Sequence, residues 1–434
     1  MDRSLLAAVT GIDANQTWLD VIGNNIANSN TTGFKQDNIT FDALLSQEIS
    51  GATAPNGIGL GGVNGVEVGS GTQTAAITPD QSEGTLQQTG NPTDVAINGN
   101  GFLMVNSQGT PVYTRDGTMS FDASGQLVTP TGGLVQGWQA NTAGVITTSN
   151  PTGNIQIPVG LAIAPLNTAN VNLGGNLPAG AAVGTVETST VNVYDTQGNA
   201  IPMTITYTNT AADTWSVSAT TEKAGGGTQT LLSGTMTFSG TGQLTGIALT
   251  TGTPAAATPG VNGVVVTTTA APVDAVAGAT FNAFNINFPA TASGQNNVTQ
   301  YAAADSIQAI SQDGFASGSL ASITIGQTGV ITGGFTNGQS WQLGQVALAT
   351  FSNPSGLNQV GQNYWQATPN SGLALVNTPG SGGAGTLTGG ALESSNVSMS
   401  QQLTNLIIAQ TSYQANTKVV TTNATVLNSL INMA

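Results

Sequence analysis

The chain has 434 residues, of which 6% are charged, against about 25% in an average soluble domain. It holds 20 acids, five Lys or Arg, no His and no Cys. That inventory excludes Cys nucleophiles, Ser-His-Asp triads, imidazole bases and nearly all zinc or copper sites, and nothing in it calls for a cofactor. The net charge of -15, with Arg3, Lys35, Arg115, Lys223 and Lys418 scattered, is repelled by nucleic acid and anionic membrane.

The first segment, residues 4 to 28, reads as a helix with Ser4 as a candidate N-cap. Leu5, Val9, Ile12, Gln16, Leu19, Gly23 and Ile26 follow alternating steps of four and three, a heptad seam weakened at Gln16 and Gly23. The turn formers from Asn28 to Gly33 should end it. The start of the chain lacks the apolar core of a secretory signal, and no run approaches the ~18 apolar residues of a membrane span, so no membrane insertion is expected.

Residues 29 to 83 are Gly-rich and read as an irregular, extended connector together with 381 to 394. Beyond it the pattern changes to period two with Gly punctuation. Residues 84 to 150 hold compact strands and form a first β-domain with 305 to 380; the Thr-, Ala- and Gly-rich stretch 151 to 304 reads as a second, outer β-domain with weaker strands. Four segments share a hairpin grammar in which Gly supplies positive φ: Phe121 to Leu127, Tyr194 to Ile201, Phe238 to Leu244 and Ile325 to Ile331. Asp122 and Asp195 within them are read as turn formers rather than calcium ligands. Gly380 to Gly385 reads as a flexible linker.

The last segment repeats the heptad grammar. Met399, Leu403, Leu406, Gln410, Tyr413, Thr417, Val420, Ala424, Leu427 and Ile431 step by four and three, with Asn396 or Ser398 as candidate caps. Two striped helices at opposite ends of one chain are economically paired with each other. The expected fold class is α+β: paired, coiled-coil-like terminal helices, 1 to 28 with 395 to 434, as a polymerisation stem carrying inserted all-β domains of barrel or sandwich type.

Several blocks now carry a family likeness. Asn24-Asn25-Ile26-Ala27-Asn28, followed by Gly33-Phe34-Lys35, resembles the signature closing the first helix of bacterial flagellar rod and hook proteins. The segments Asn91 to Leu103, Leu343 to Leu357, Leu392 to Val397 and Tyr413 to Asn416 are similar to further blocks of that family, in family order. The long insertion fits the hook members rather than the shorter rod members, with the distal rod protein as the nearest rival and a secreted β-rich adhesin as the remaining alternative. The resemblance implies a structural, extracellular homopolymer of the flagellum and no enzyme. It implies that the terminal helices line an inner tube, that the β-domains form outer shells, and that the tube carries torque from rod to filament. The implied partners are the distal rod protein, the hook cap, the hook-filament junction proteins and the flagellar type III export apparatus. The family often has Arg at the position of Thr411 and Asp near Asn423 or Ala424; neither charge is present here, so any inter-subunit ion pair the family uses at those places is not expected. Lys35 itself reads as a solvated charge. With so few cations, few strong ion pairs are expected, and with them a tolerance of low pH.

Overall fold

The computed structural model describes residues 2–54, 61–158, 160–222, 227–251, 253–260, 263–268, 283–289 and 297–433, so Lys223 lies outside them. The chain is mostly β with one long helix at each end: α1, Asp2–Ala27, and α2, Met399–Met433. Contacts divide it into two compact units. The first is Met1–Val159, Ser322–Gly333 and Ser340–Ala434; the second is Gly160–Ala321 and Gly334–Gln339.

The first unit contains both helices and a β-sheet. In that sheet Leu134–Gln139 pairs with Phe102–Ser107 through its first residues and with Ser340–Val346 through its last. Apolar side chains alternate inward, and the aromatic ones gather in one cluster of Phe102, Tyr113, Phe351 and Trp365. Phe351 meets Phe102 and Tyr113 edge to face at 5.8 and 4.8 Å.

The connector differs from the irregular segment expected. It contains two antiparallel ribbons, Asp37–Ala43 with Thr72–Pro79 and Gln47–Ser50 with Val66–Val68. The Gly380 to Gly385 stretch is likewise ordered, closed by Gly380 N–H donating to Gly385 O at 2.6 Å, with Ala384 fully buried. Its glycines serve close approach: a Cβ on Gly385 would lie 2.1 Å from Asn98 O.

The second unit is two sheets around one core. A five-stranded meander runs through Val186–Tyr194, Ala200–Ala211, Thr214–Glu222, Thr228–Phe238 and Leu244–Thr251. Facing its buried side is a sheet that includes Asn170–Asn176 and Asn285–Phe288, paired in parallel. Met203, Ile205, Tyr207, Trp215 and Val217 are fully buried while Thr residues take the alternate positions, so these strands are more strictly patterned than their composition suggested.

The unit boundaries depart from 151 to 304. Residues 305–321 group with the second unit, because Gln308–Gln312 pairs with Asn170–Asn176, Ser306 N–H donates to Asn176 O and Asn176 N–H donates to Ser306 Oγ. Residues 151–158 group with the first, where Gly153–Asn154 pairs with Gln136 and Gly137 and Ile155 and Ile157 are buried. All four hairpin turns form, with Gly125, Gly198, Gly242 and Gly329 at φ of 75, 84, 79 and 74°. Asp122 Oδ1 accepts the N–H groups of Ser124 and Gln126, and Asp195 Oδ1 those of Gln197 and Asn199, so both carboxylates are occupied as turn caps.

Candidate assembly interface and its buried charge cluster

α1 and α2 pack antiparallel against each other. The packed layers recur every seven residues on both helices. Ser4 shares hydrogen bonds with Asn423 at 3.3 and 3.5 Å. Seven residues on, a Cβ on Gly11 would lie 2.7 Å from Asn416 Nδ2. The same register sets Trp18 level with Ala409 and Asn25 level with Gln402. Asn25, Gln402 and Ala409 are all buried.

This pairing face corrects the one expected. The face is mostly small and polar, with Trp18 as its large side chain. On both helices it lies one residue before positions of the apolar seam: Ser4, Gly11, Trp18 and Asn25 before Leu5, Ile12, Leu19 and Ile26, and Gln402 and Asn423 before Leu403 and Ala424. Ser4 is no cap either: α1 begins at Asp2, and the Ser4 hydroxyl is spent on Asn423. Ser398 precedes α2, while Asn396 Oδ1 accepts Gln36 N–H. The physical reason for the offset is close approach: Gly11 and Ala409 let backbones come near, which Ile12 or Leu406 would prevent.

The seam residues therefore retain solvent contact. Leu5, Ile12, Leu19 and Ile26 are half-buried and Val9 is exposed. On α2, Leu406, Tyr413 and Val420 are half-buried, whereas Leu403, Leu427 and Ile431 are exposed. From Ala424 to Met433 every residue of α2 is exposed, because α1 has no residues left at that height.

The motif after α1 locks its exit. Asn25 Nδ2 donates to Asp37 O and Asn25 Oδ1 accepts Asp37 N–H, both at 2.9 Å. Asn28 Nδ2 donates back to Asn24 Oδ1 at 2.9 Å, closing the last turn, and Ala27 is exposed. Gly33, at φ 67°, donates its N–H to Glu393 O; a Cβ there would lie 2.7 Å from the Arg115 carbonyl carbon. Phe34 is buried beside it in sequence.

Lys35 is not solvated. Its Nζ lies 2.7 Å from Glu393 Oε1 and donates to Ser82 O at 2.6 Å. Glu393 Oε1 also accepts Gly84 N–H. Arg115 Nη1 stands 3.7 Å from Glu393 Oε2, with its guanidinium 4.9 Å from the Phe102 ring centroid. All three charges are essentially inaccessible to solvent, and burial lowers the pKa of both Lys35 and Arg115. Glu393 is the carboxylate in contact with both cations, and Glu83 adds a second, more distant negative charge to the pair; the site lies at the junction of four chain segments. Sequence reasoning placed Lys35 in a motif but had no signal for its burial, since its partner is 358 positions away.

Among the described residues, no group of three or more Asp or Glu could hold a metal ion, and no helix is long and apolar enough to cross a membrane.

Four family models match the chain in order. They are the flagella basal body rod protein over residues 5–35, the flagellar hook protein FlgE/F/G D1 domain over 96–176, the flagellar basal body protein FlaE D2 domain over 178–315, and the flagellar basal body rod FlgEFG C-terminal model over 388–433. The flagellar hook protein FlgE of Treponema pallidum is 37% identical, with all of both chains covered. That of Escherichia coli K12 is 35% identical over 98% of each. The chain belongs to the flagellar hook protein family. It is a structural subunit of the bacterial flagellar hook. The crystal structure of Helicobacter pylori hook protein FlgE2 shares the fold, at a TM-score of 0.50 and 13% identity over 71% of this chain and 99% of that one.

Two outcomes follow for this hook subunit. Glu393→Gln strands two buried cations and should cost about 3–5 kcal/mol in the first unit, measured by urea melts. The Ser82 N–H and the Gln36 amide hold the Asp80 carboxyl below the ordinary carboxylate range. A depressed pKa gives stability that is present above the unfolded value and lost as pH falls through the folded one. Asp80→Asn should therefore lower stability near pH 7, and the difference from the parent chain should shrink as pH falls below about pH 4, in melts across that range.

Proposed function

We propose that this hook subunit polymerises through its terminal helices into an extracellular tube, with the β-units outside, and that the tube acts as a flexible joint passing torque from rod to filament. The observation that carries this reading is where the unburied apolar side chains lie. Leu6, Val9, Leu403, Ile407, Val426, Leu430, Ile431 and Met433 are all at least 42% exposed on the two helices of a single chain. A solvated monomer gains nothing from such stripes, whereas a ring of neighbours buries them at about 25 cal/mol per Å². The stem is then the polymerisation element, residues 29 to 83 with 381 to 394 connect it, and the two β-units are outer layers.

The low charge supports the same reading. A surface of Thr, Ser, Asn and Gln exchanges contacts between neighbours without breaking ion pairs, which suits a tube that bends as it turns. The partners of such a tube are the distal rod protein at its base, the hook cap and hook-filament junction proteins at its tip, and the flagellar type III export apparatus that delivers subunits. A catalytic role has no support in the residue inventory.

Removal of residues 399–433 takes away one stem helix and leaves Glu393 with its partners. The shortened chain should stay monomeric in sedimentation while keeping the β-type circular dichroism of the full chain. Tube formation by the shortened chain would refute assembly through the helices.

A further inference from the structure

We propose that neighbouring copies join by seating α1 of one copy antiparallel in a groove on α2 of the next, displaced by eleven residues, about 16 Å, from the register of α1 on its own α2. The proposal rests on the self-assembly reading above and specifies its geometry.

The groove is open, about 480 Å³, and is lined by Ser4, Ala415, Lys418, Val419, Thr422 and Asn423. Beyond it the same face of α2 continues through Val426 and Leu430 to Met433, which are 42, 48 and 84% exposed. This stripe has heptad spacing, with Val419, Val426 and Met433 seven residues apart. The unburied seam of α1 has the same spacing at Leu5, Ile12 and Leu19. Antiparallel helices with matching heptads can dock in a small set of registers, and the side chains discriminate among them.

In the proposed register Leu5 meets Met433, Ile12 meets Val426 and Leu19 meets Val419. Gln16 falls level with Thr422, so the polar interruption of one stripe faces a polar position of the other. The charges agree independently. Lys418 is the single charged residue of α2, is exposed, and joins no ion pair among the described residues. Asp20, exposed on α1, comes level with it. Asp13 comes within one residue's rise of Arg3, the other exposed basic side chain among the described residues. The register one heptad closer pairs Asp13 with Lys418, but it sets Leu19 against Ser412 and leaves Met433 uncovered.

The geometry also fits a tube. The contact uses different surfaces on the two copies and carries an axial displacement, so it is heterologous and cannot close into a dimer; repeated, it yields an open helical assembly.

The chain has no Cys, so engineered pairs report cleanly. Tubes assembled from the full chain carrying Leu19→Cys and Val419→Cys should oxidise to a ladder of linked subunits, and the unassembled protein should not, since the two sites lie eleven residues of rise apart within one chain. A ladder from Ile12→Cys with Val419→Cys instead, or tubes with no ladder from the first pair, overturns the register. The charge test is independent of the cysteines. Lys418→Glu should raise the critical concentration for assembly about fivefold, and adding Asp20→Lys should restore it; rescue by Asp13→Lys and not by Asp20→Lys overturns the register. Failure of the unsubstituted chain to form tubes would overturn the self-assembly reading beneath it, a result distinct from tubes with the wrong cross-link.

Discussion

Close approach of the two terminal helices is the constraint on which the rest of this molecule depends. Gly11 leaves no room for a side chain beneath Asn416, and Ala409 and Gln402 continue the same thin, polar face. A pair held this way brings Gly11 and Ala409 inward and, Ile22 apart, leaves the Leu, Ile and Val side chains of its seam half-buried or exposed, unlike an isolated coiled coil. Such a pair is weak alone, since few apolar contacts offset the entropy of ordering long helices. The arrangement is consistent with subunits that become fully ordered only among neighbours.

The chain ends are fixed a second time where the connector leaves the stem. Glu393 receives Lys35, Gly84 N–H and the more distant Arg115, while its own carbonyl accepts Gly33 N–H. Asn396 adds Gln36 on one side and the carbonyls of Asp80 and Ser82 on the other. Residues near the two termini thus organise one another across the length of the chain. A protein with five basic residues devotes two of them to this junction. The cluster ties the four segments together through charge-assisted contacts, and loss of one partner leaves the others buried and uncompensated.

Much of this was legible in the sequence, for identifiable reasons. Helices of 26 and 35 residues carry enough heptads to declare themselves, and each Gly-marked turn from Phe121 to Ile331 needs only local geometry. Features that depend on distant partners were not legible. Heptad counting favours the apolar stripe as the pairing face, yet steric access at Gly11 decides it. Lys35 looks solvated until Glu393 is brought beside it. Gly380 to Gly385 has the composition of a linker, and becomes ordered because Gly99 and Gly101 approach it from another part of the chain. Residues 305–321 read as the return to the first β-domain, but their strand hydrogen-bonds to Asn170–Asn176.

The central claim is that each stem pairs internally through its polar face and reserves its apolar seam for other copies. Helical reconstruction of the assembled tube by electron cryo-microscopy, at a resolution that separates side chains, tests it most directly. The account predicts Gly11 against Asn416 of the same chain, with Leu5, Ile12 and Leu19 covered by a neighbour's α2. A map in which those three residues are buried against their own α2, or in which the two helices of one chain have parted, would contradict it.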